Sequence, residues 1–481
     1  MKNAMKYIVF ILICLVSFKI SAQDKIKEGI IAIKGGDYLK GISVMKDAIT
    51  QNEDYEPNML YGLALYKTGS LDNAEKFLLK ALKDDDEGVE AMKYLGEIYT
   101  KKKDYSNADK YFKKALKIEP ENVSVMISQA EFFYLQGKIE DAVKVLTLAK
   151  SLKKDDPNIL VALGNAYASG GAFPAAMTQY KNALSLNKNL PKAYFGIAEC
   201  YNVMKNYDTA KINYKKAIEL DQNYADAYLS YGKLLFYNGE FPAASYAFKK
   251  YTELVPGSSE GNVLYAKTLY KLNKYDESIT ILEEVLKLDP KQNVTVYKYL
   301  AFNYVEKKEY TKAIECFQKV NENEMDADDL LKYAITISKI KDFENAYKMF
   351  NKSINKDTSD NDMDAYFELG VVQFTNNEYE NSLMSFNKSI QLGNANFPVF
   401  LYAGMAAYYS NKFEDAVKNL TKSIEVKSDF ALSYLWLANS YYKLGNKELA
   451  LVNYKKTLEY DPENTDAKNG VKLLENKPDG K

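Results

Sequence analysis

The sequence predicts an all-α solenoid, in which pairs of helices stack side by side along the chain. One phrase recurs in it, as NADKYFKKALKIEPEN at 107–122, TAKINYKKAIELDQN at 209–223 and LALVNYKKTLEYDPEN at 449–464. When the chain is aligned on this phrase, small residues return every 34 positions with small slips. Apolar residues at helical spacing return with the same period, so each period is predicted to be one structural unit.

The alignment divides the chain into thirteen repeats. They begin at 22, 55, 89, 123, 157, 191, 225, 259, 294, 327, 363, 397 and 431. Position 8 of every repeat is glycine or alanine, and position 20 is alanine in all but three repeats, which have Gly41, Ser278 and Ser382. We therefore expect two helices to cross at these positions too closely for larger side chains.

Each repeat is predicted to form two helices joined by a tight turn. In the repeat at 89–122, Leu95 and Tyr99 lie four residues apart on one helical face, and Ala108 and Phe112 do so in the second helix. Position 15 favours a left-handed residue that ends the first helix, and six repeats have glycine there: Gly36, Gly69, Gly137, Gly171, Gly239 and Gly445. Proline at position 32 ends the second helix in four repeats, at Pro120, Pro256, Pro290 and Pro462.

This pattern resembles the tetratricopeptide repeat family, and the resemblance covers about 22–464. The repeat at 89–122 carries the family's packing residues as Leu95, Gly96, Tyr99, Ala108, Phe112, Ala115 and Pro120. The resemblance implies a right-handed superhelix whose concave wall is lined by first helices, chiefly at positions 2, 5, 9 and 12. Residues 465–481, with Val471 and Leu474 as apolar contacts, are predicted to form a capping helix and tail.

The second half departs from the pattern. Position 27 is alanine in the first six repeats and is then replaced by Tyr251, Val285, Val320, Ser353, Ser389, Ser423 and Thr457. The segments at 321–329 and 355–364 are acidic, irregular in length and lack the proline. We expect them to act as joints on either side of the repeat at 327–362.

The first 22 residues have the layout of a secretory signal peptide. Lys2 and Lys6 precede an apolar run at 7–18, and small residues stand before a cut after Ala22. The run is shorter than the about 20 residues that a membrane-spanning helix needs. Removing residues 1–22 takes away three lysines and no acid, so the formal net charge changes from -1 to -4.

The composition removes the side chains of many enzymes and of nucleic-acid binding. The chain has no histidine and no arginine, so it lacks an imidazole base, a histidine metal ligand and a guanidinium fork for phosphate. The mature charge gives no basic face for nucleic acid. We therefore expect no enzyme activity, no cofactor, no metal and no nucleic acid. The family's clamp for a C-terminal carboxylate is also not expected, because no repeat has lysine at position 5 together with asparagine at position 9.

The predicted binding surface is the apolar and aromatic part of the concave wall. Its residues are Phe195, Leu229, Phe236, Tyr270, Phe302, Phe367, Phe374, Leu401, Met405, Tyr408 and Tyr442. Early repeats place Lys93, Glu97 and Glu131 on the same wall. The phenylalanines at position 5 are expected to leave the helix pair of their own repeat and to present an exposed apolar patch.

The sequence thus predicts a non-enzymatic scaffold of a bacterial cell envelope that holds a segment of a protein partner in its groove. The mature form is expected to be soluble or peripherally associated with the envelope. An alternative is a glycan-binding protein of polysaccharide export, because aromatic rings also stack on sugar rings. The sequence leaves the oligomeric state open.

The mature chain is predicted to begin at Gln23, because the apolar run ends shortly before the polar start QDKIKEG. Intact-mass analysis of exported material measures this directly. Material that retains residues 1–22 and fractionates with the membrane would contradict the prediction.

Overall fold

The computed structural model describes residues 22–288, 293–356 and 362–475. Within these ranges the chain is α-helical outside its turns and contains no strand. It divides into two compact units, unit 1 (residues 1–290) and unit 2 (residues 291–481). The predicted all-α repeat solenoid is confirmed.

Three sequence predictions concern residues outside the described ranges. The predicted signal peptide lies there except for Ala22. Pro290, predicted to end a second helix, also lies there, as do residues 357–361 of the second predicted joint.

Unit 1 consists of successive helix pairs. They are α1 (22–34) and α2 (Tyr38–Met45), α3 (Tyr55–Lys67) and α4 (Leu71–Asp84), α5 (Val89–Lys101) and α6 (Tyr105–Ile118), α7 (Val123–Leu135) and α8 (Ile139–Leu152), α9 (Pro157–Ser169) and α10 (Phe173–Leu186), α11 (Pro191–Val203) and α12 (Tyr207–Leu220), α13 (Ala225–Tyr237) and α14 (Phe241–Leu254), and α15 (Ser259–Lys271) and α16 (Tyr275–Leu288). Odd-numbered helices are the first helices of their repeats, and even-numbered helices are the second helices.

Unit 2 continues the pattern and ends with one additional helix. Its helices are α17 (Asn293–Glu306) and α18 (Tyr310–Phe317), α19 (Ala327–Lys339) and α20 (Phe343–Lys356), α21 (Met363–Thr375) and α22 (Tyr379–Gln391), α23 (Phe397–Tyr409) and α24 (Phe413–Val426), α25 (Ala431–Lys443) and α26 (Lys447–Tyr460), and α27 (Thr465–Glu475). Helix α27 packs on α26 and buries Ala467 and Gly470 there, so it is the capping helix.

The core of a repeat is a large side chain of the second helix packed on the small residue of the first. A Cβ atom added to Gly96 would lie 2.6 Å from Cε1 of the fully buried Phe112. In the repeat at 157–190, a Cβ atom on Gly164 would lie 2.5 Å from Cε1 of Tyr180. Position 8 is small because the ring at position 24 rests on the backbone of the first helix.

Serine at position 20 adds a hydrogen bond to this crossing. Ser278 Oγ donates to the carbonyl oxygen of Ala266 at 2.9 Å, and Ser382 Oγ donates to that of Gly370 at 2.8 Å. Both acceptors stand at position 8. The serines therefore fit the close crossing because each buried hydroxyl has an acceptor on the facing helix.

The turn between the two helices has the same backbone in every repeat. Position 15 has a positive φ at all six predicted glycines and, in the other seven repeats, at Lys103, Lys205, Asn273, Lys308, Lys341, Asn377 and Asn411. After α7, Gly137 N–H donates to the carbonyl of Tyr134 and Lys138 N–H to that of Phe133, both at 3.0 Å, which is a Schellman motif. A left-handed lysine costs roughly 1–2 kcal/mol, so the repeat geometry overrides the local preference.

Buried serines at position 27 tie the second helix to the start of the first. Ser353 Oγ donates to the carbonyl oxygen of Ala327 at 2.7 Å, and Ser389 Oγ donates to that of Met363 at 2.6 Å. Each acceptor is the first residue of the first helix in the same repeat. The change from alanine to serine in unit 2 thus replaces a close apolar contact with a buried hydrogen bond.

The segment at 321–329 is a fixed turn, so the prediction of a joint there is wrong. Asp326 and Asp329 form a capping box at the start of α19, with N–H to carboxylate distances of 3.0 and 2.8 Å. Lys298 pairs with the buried Asp329 carboxylate. Lys356 Nζ donates to the carbonyl of Asn323 at 3.0 Å. Acidic composition here serves ion pairs and a helix cap.

Gly96→Leu is expected to lower the free energy of unfolding by about 1–3 kcal/mol, because its side chain would occupy the position of the Phe112 ring. Lys114→Leu is the matched control, since Lys114 is exposed on α6. Urea denaturation followed by circular dichroism gives both midpoints. Equal midpoints would contradict the assignment of position 8 to the helix crossing.

Candidate functional site

First helices form the inner layer of each unit. Successive first helices contact one another directly, as α5 does with α7 and α7 with α9. A second helix instead packs mainly between the first helix of its own repeat and that of the next. The inner face therefore presents side chains from the first helices, as the resemblance implied.

The inner face of unit 2 carries a cluster of aromatic rings on α21, α23 and α25. Tyr379 and Tyr409 stack with centroids 4.7 Å apart, Phe374 lies 5.9 Å from Tyr409, and Trp436 lies 5.2 Å from Tyr409. Tyr409 is 42% exposed. We call this group, with Tyr402, Tyr408 and Phe413, the aromatic cluster of unit 2.

The eleven residues predicted for the binding surface divide between the two units. Phe195, Leu229, Phe236 and Tyr270 lie in unit 1, where each is half-buried. The seven in unit 2 are Phe302, Phe367, Phe374, Leu401, Met405, Tyr408 and Tyr442. Leu401 is only 5% exposed and offers little surface, whereas Tyr442 is 38% exposed and the other five are half-buried. Phe374 and Tyr408 belong to the aromatic cluster.

Phenylalanines at position 5 pack within their own repeats, so the prediction that they leave the helix pair is wrong. The ring of Phe195 lies 6.0 Å from that of Tyr214, and the ring of Phe367 lies 5.8 Å from that of Phe386. Both partners are the buried rings at position 24. Phe302 has the corresponding contact in its own repeat. One side of each phenylalanine therefore belongs to the core, and only the remainder faces the inner surface.

The inner face of unit 1 closes on itself. Gly257 N–H donates to the carbonyl oxygen of Thr68 at 3.1 Å, which joins the turn after α3 to the turn before α15. Gly69 packs against the same turn, since a Cβ atom there would lie 2.8 Å from Val255 Cγ1 and 3.2 Å from Ser258 N. The helices between these two contacts therefore form a closed turn.

Six charged side chains face the space inside this closed turn, which we call the hollow of unit 1. They are Lys67, Glu97, Lys101, Glu131, Lys192 and Asp226. Glu131 interacts electrostatically with Asp226, three repeats further along the chain. Lys67 interacts with both Lys192 and Asp226. Three ammonium groups and three carboxylates thus converge from four first helices and from the start of α13.

These charges are in contact with water but strongly enclosed by protein. Glu131 is exposed, yet desolvation raises the pKa of its carboxyl, and the carboxylate of Glu97 adds to the increase. The same enclosure lowers the pKa of Lys67, which Glu97 partly opposes. Burial also raises the pKa of Tyr66 well above its usual value, with Glu97 and Glu131 contributing. The hollow is therefore a poorer environment for unpaired charges than bulk water.

Lys93 does not contribute a free ammonium group to this wall. It is 6% exposed, and its Nζ donates to Glu90 at 2.6 Å and to Ser124 Oγ at 3.2 Å. Glu97 accepts a hydrogen bond of 2.6 Å from Ser128 Oγ. Of the three polar residues predicted for the early wall, Lys93 is structural, whereas Glu97 and Glu131 face the hollow.

Two searches of residues 22–288, 293–356 and 362–475 gave no candidate. No helix in these ranges is long and apolar enough to cross a membrane. No group of three histidine, cysteine, aspartate or glutamate side chains in them is arranged to hold a metal ion.

Comparison with protein families matches several parts of the chain. Profiles described as tetratricopeptide repeats match 26–89, 89–122 and 431–464, and one described as a TPR repeat matches 164–202 and 404–445. Another, described as subunit 3 of the anaphase-promoting complex or cyclosome, matches 203–285. The chain is a tetratricopeptide repeat protein. Repeats of this family generally serve non-enzymatic protein interaction.

Solved structures of other tetratricopeptide repeat proteins are similar to parts of this one. The C-terminal part of a TPR repeat-containing protein from Cytophaga hutchinsonii is 23% identical over 44% of this chain and 84% of its own, with a TM-score of 0.39. The Cut9–Hcn1 hetero-tetramer is 14% identical over 95% of both chains, with a TM-score of 0.37. YrrB, described as a TPR protein with an unusual peptide-binding site, is 22% identical over 39% of this chain and 95% of its own, with a TM-score of 0.35. No curated protein matches the sequence.

Sequence reasoning missed two parts of the inner face of this tetratricopeptide repeat protein. It considered positions 2, 5, 9 and 12, so it omitted Tyr402 and Trp436 at position 6 and Tyr409 at position 13. It also missed the closed turn of unit 1. One signal was available, because Gly257 is the only glycine at position 33 of any repeat.

Glu131→Gln is expected to stabilise unit 1 at neutral pH and to have little effect near pH 4. The folded-state pKa of Glu131 is raised above its unfolded value of about 4.3. Ionisation therefore costs folding free energy, and the cost develops as pH rises from the unfolded pKa through the folded pKa.

Thermal midpoints of wild type and Glu131→Gln across this pH range test the sign. Glu140→Gln, on the exposed surface of α8, is the control. A difference that shrinks as pH rises would show that Glu131 is stabilised as the anion in the hollow.

Proposed function

We propose that this protein is a non-enzymatic scaffold of a bacterial cell envelope that binds a polypeptide segment of a partner on the inner face of unit 2. Tetratricopeptide repeat proteins bind protein or peptide partners. The observation that carries the choice of surface is the aromatic cluster of unit 2, whose rings form a continuous patch with Tyr409 exposed at its edge. Exposed aromatic patches of this kind are typical of interaction sites.

The envelope location rests on the N-terminal sequence. Lys2 and Lys6, the apolar run at 7–18 and the small residues before Gln23 form the layout of a signal peptide. The non-enzymatic role rests on composition, because histidine and arginine are absent from the entire chain.

A polypeptide segment suits the geometry of the aromatic cluster. Phe374, Tyr409 and Trp436 are anchored from below by neighbouring rings, so they are held in place before a partner binds. Rigid aromatic anchors lose little conformational entropy on binding. Apolar side chains of an extended segment or helix can fill the spaces between the rings, and burial provides roughly 25 cal/mol per Å² before the ordering costs.

Glycan binding in polysaccharide export is the second candidate. Tyr379 and Tyr409 stack nearly parallel, at 18°, and Tyr409 keeps 42% of its surface exposed. An exposed ring of this kind can stack on a sugar ring. The two candidates use the same rings, so the ligand chemistry must be tested directly.

Tyr409→Ala and Tyr442→Ala are expected to weaken partner binding by about 2 kcal/mol each without loss of folding, because truncation of an aromatic anchor removes its buried contacts. Both side chains are substantially exposed, unlike the core-packed Phe302 and Phe367. Met384→Ala is the matched control, since Met384 is 67% exposed on the second helix α22.

The partner is first captured from the native envelope with a photo-crosslinking residue at position 409, and affinities are then measured by titration calorimetry. Wild-type affinity in both tyrosine variants would contradict the assigned surface. Retention of envelope glycans, with no polypeptide captured, would establish the glycan alternative instead.

A further inference from the structure

The hollow of unit 1 differs from an open groove because its turn is closed. The Thr68 and Gly257 contact joins the two ends of the turn directly, with a hydrogen bond of 3.1 Å. A partner can therefore reach the hollow in two ways. It either threads a chain end through the opening, or it enters from the side after the contact between the two turns has separated.

We propose that the hollow of unit 1 is a gated chamber for an unfolded, extended polypeptide segment that carries both ammonium and carboxylate groups, and that the Thr68–Gly257 contact is the gate. This proposal concerns a surface separate from the aromatic cluster of unit 2. Its outcome is therefore independent of the function proposed above.

The partner's charge pattern follows from the charges of the hollow. Lys67, Lys101 and Lys192 face Glu97, Glu131 and Asp226, and none of the six forms a direct ion pair within the described ranges. Lys101 Nζ lies instead 5.2 Å from the ring centroid of Tyr66. Unpaired charges in an enclosed space are unfavourable. A segment with alternating lysine and acidic residues would give each group an opposite partner.

The partner must be extended because the hollow is narrow. Glu131 and Asp226 lie three repeats apart, about half of the closed turn, yet their charges interact. Screening in water limits such interactions to about 10 Å. An α-helix with its side chains has a diameter of about 10–12 Å, so a helix or a folded domain does not fit between these walls, whereas a single extended chain does.

Gly257 is suited to a gate because only the contact itself requires glycine. Its φ is not positive, so its own backbone conformation accepts other residues. A Cβ atom at this position would lie 2.9 Å from Thr68 O and 3.0 Å from Gly69 C, both backbone atoms that cannot rotate away. Asn223 occupies the same position one repeat earlier, where no second turn approaches. Gly257→Ala and Gly257→Asn should thus separate the turns to increasing degrees while leaving the helices intact.

The gate is tested by the size dependence of thiol modification in the full chain. Cys14, Cys200 and Cys316 are replaced by alanine, and Glu131→Cys places a single thiol in the hollow. Iodoacetamide is the small reagent, and a maleimide on a long polyethylene glycol chain is the large one. Ile212→Cys is the control, because Ile212 is 67% exposed on the outer helix α12.

Cys at position 131 is expected to react with iodoacetamide at a rate similar to the control, but with the large reagent at least about tenfold more slowly. Gly257→Ala and then Gly257→Asn should remove this difference progressively, while circular dichroism confirms that both variants stay helical. Asn223→Ala should leave it unchanged. Equal rates for the large reagent at 131 and 212 in the parent protein, or protection that persists in both Gly257 variants, would overturn the gate.

The partner class is tested with synthetic unfolded peptides of equal length. A peptide of alternating lysine and glutamate should protect position 131 from iodoacetamide, whereas a glycine and serine peptide should not. The same charged peptide fused between two folded domains has no free end, so it should protect position 131 only in Gly257→Asn. Equal protection by both peptides would overturn the charge requirement, and equal protection by the fusion in parent and variant would overturn threading and gating.

Discussion

The whole structure depends on one contact, between the large side chain at position 24 and the small residue at position 8. In the repeat at 157–190 the Tyr180 ring lies against Gly164, and it also lies against Gly196 of the next repeat, where a Cβ atom would approach to 2.4 Å. One ring therefore closes its own helix pair and sets the distance to the following pair. The capping helix uses the same device, because Gly470 lies against the Tyr454 ring. The array ends where no further ring requires a small residue to rest on.

The sequence was sufficient to predict this contact because it repeats, and a repeating constraint leaves a periodic record. Position 8 is small in every repeat, and the first helices begin where that register places the repeat starts, with α17 one residue earlier. The glycines at position 15 indicated the left-handed turn, but Lys103 and Lys205 have the same backbone without the residue that reveals it. Composition was misleading at 321–329, because acidic residues that hold a turn through Lys298 and Lys356 resemble those of a flexible linker.

The candidate sites were less predictable because they depend on contacts that occur once. The closed turn of unit 1 results from small rotations added over several repeats, and no single repeat records the sum. Only Gly257 marks it, and one glycine in a turn has many ordinary explanations. In unit 2 the rings of the aromatic cluster stand at positions that also serve the core, as Phe367 shows. Their exposed area could be assigned only once the neighbouring rings were known.

The closed turn also restricts how this gene can change in length. Arrays of repeats ordinarily gain or lose units freely, because each unit contacts only its neighbours. Thr68 and Gly257, in contrast, meet only when a fixed number of repeats separates them. A duplication or deletion of one 34-residue unit between them would leave every local contact intact and still prevent the ends from meeting. Unit 1 is therefore expected to keep its copy number among descendants, as a closed ring of subunits does, although its chain is built from interchangeable parts.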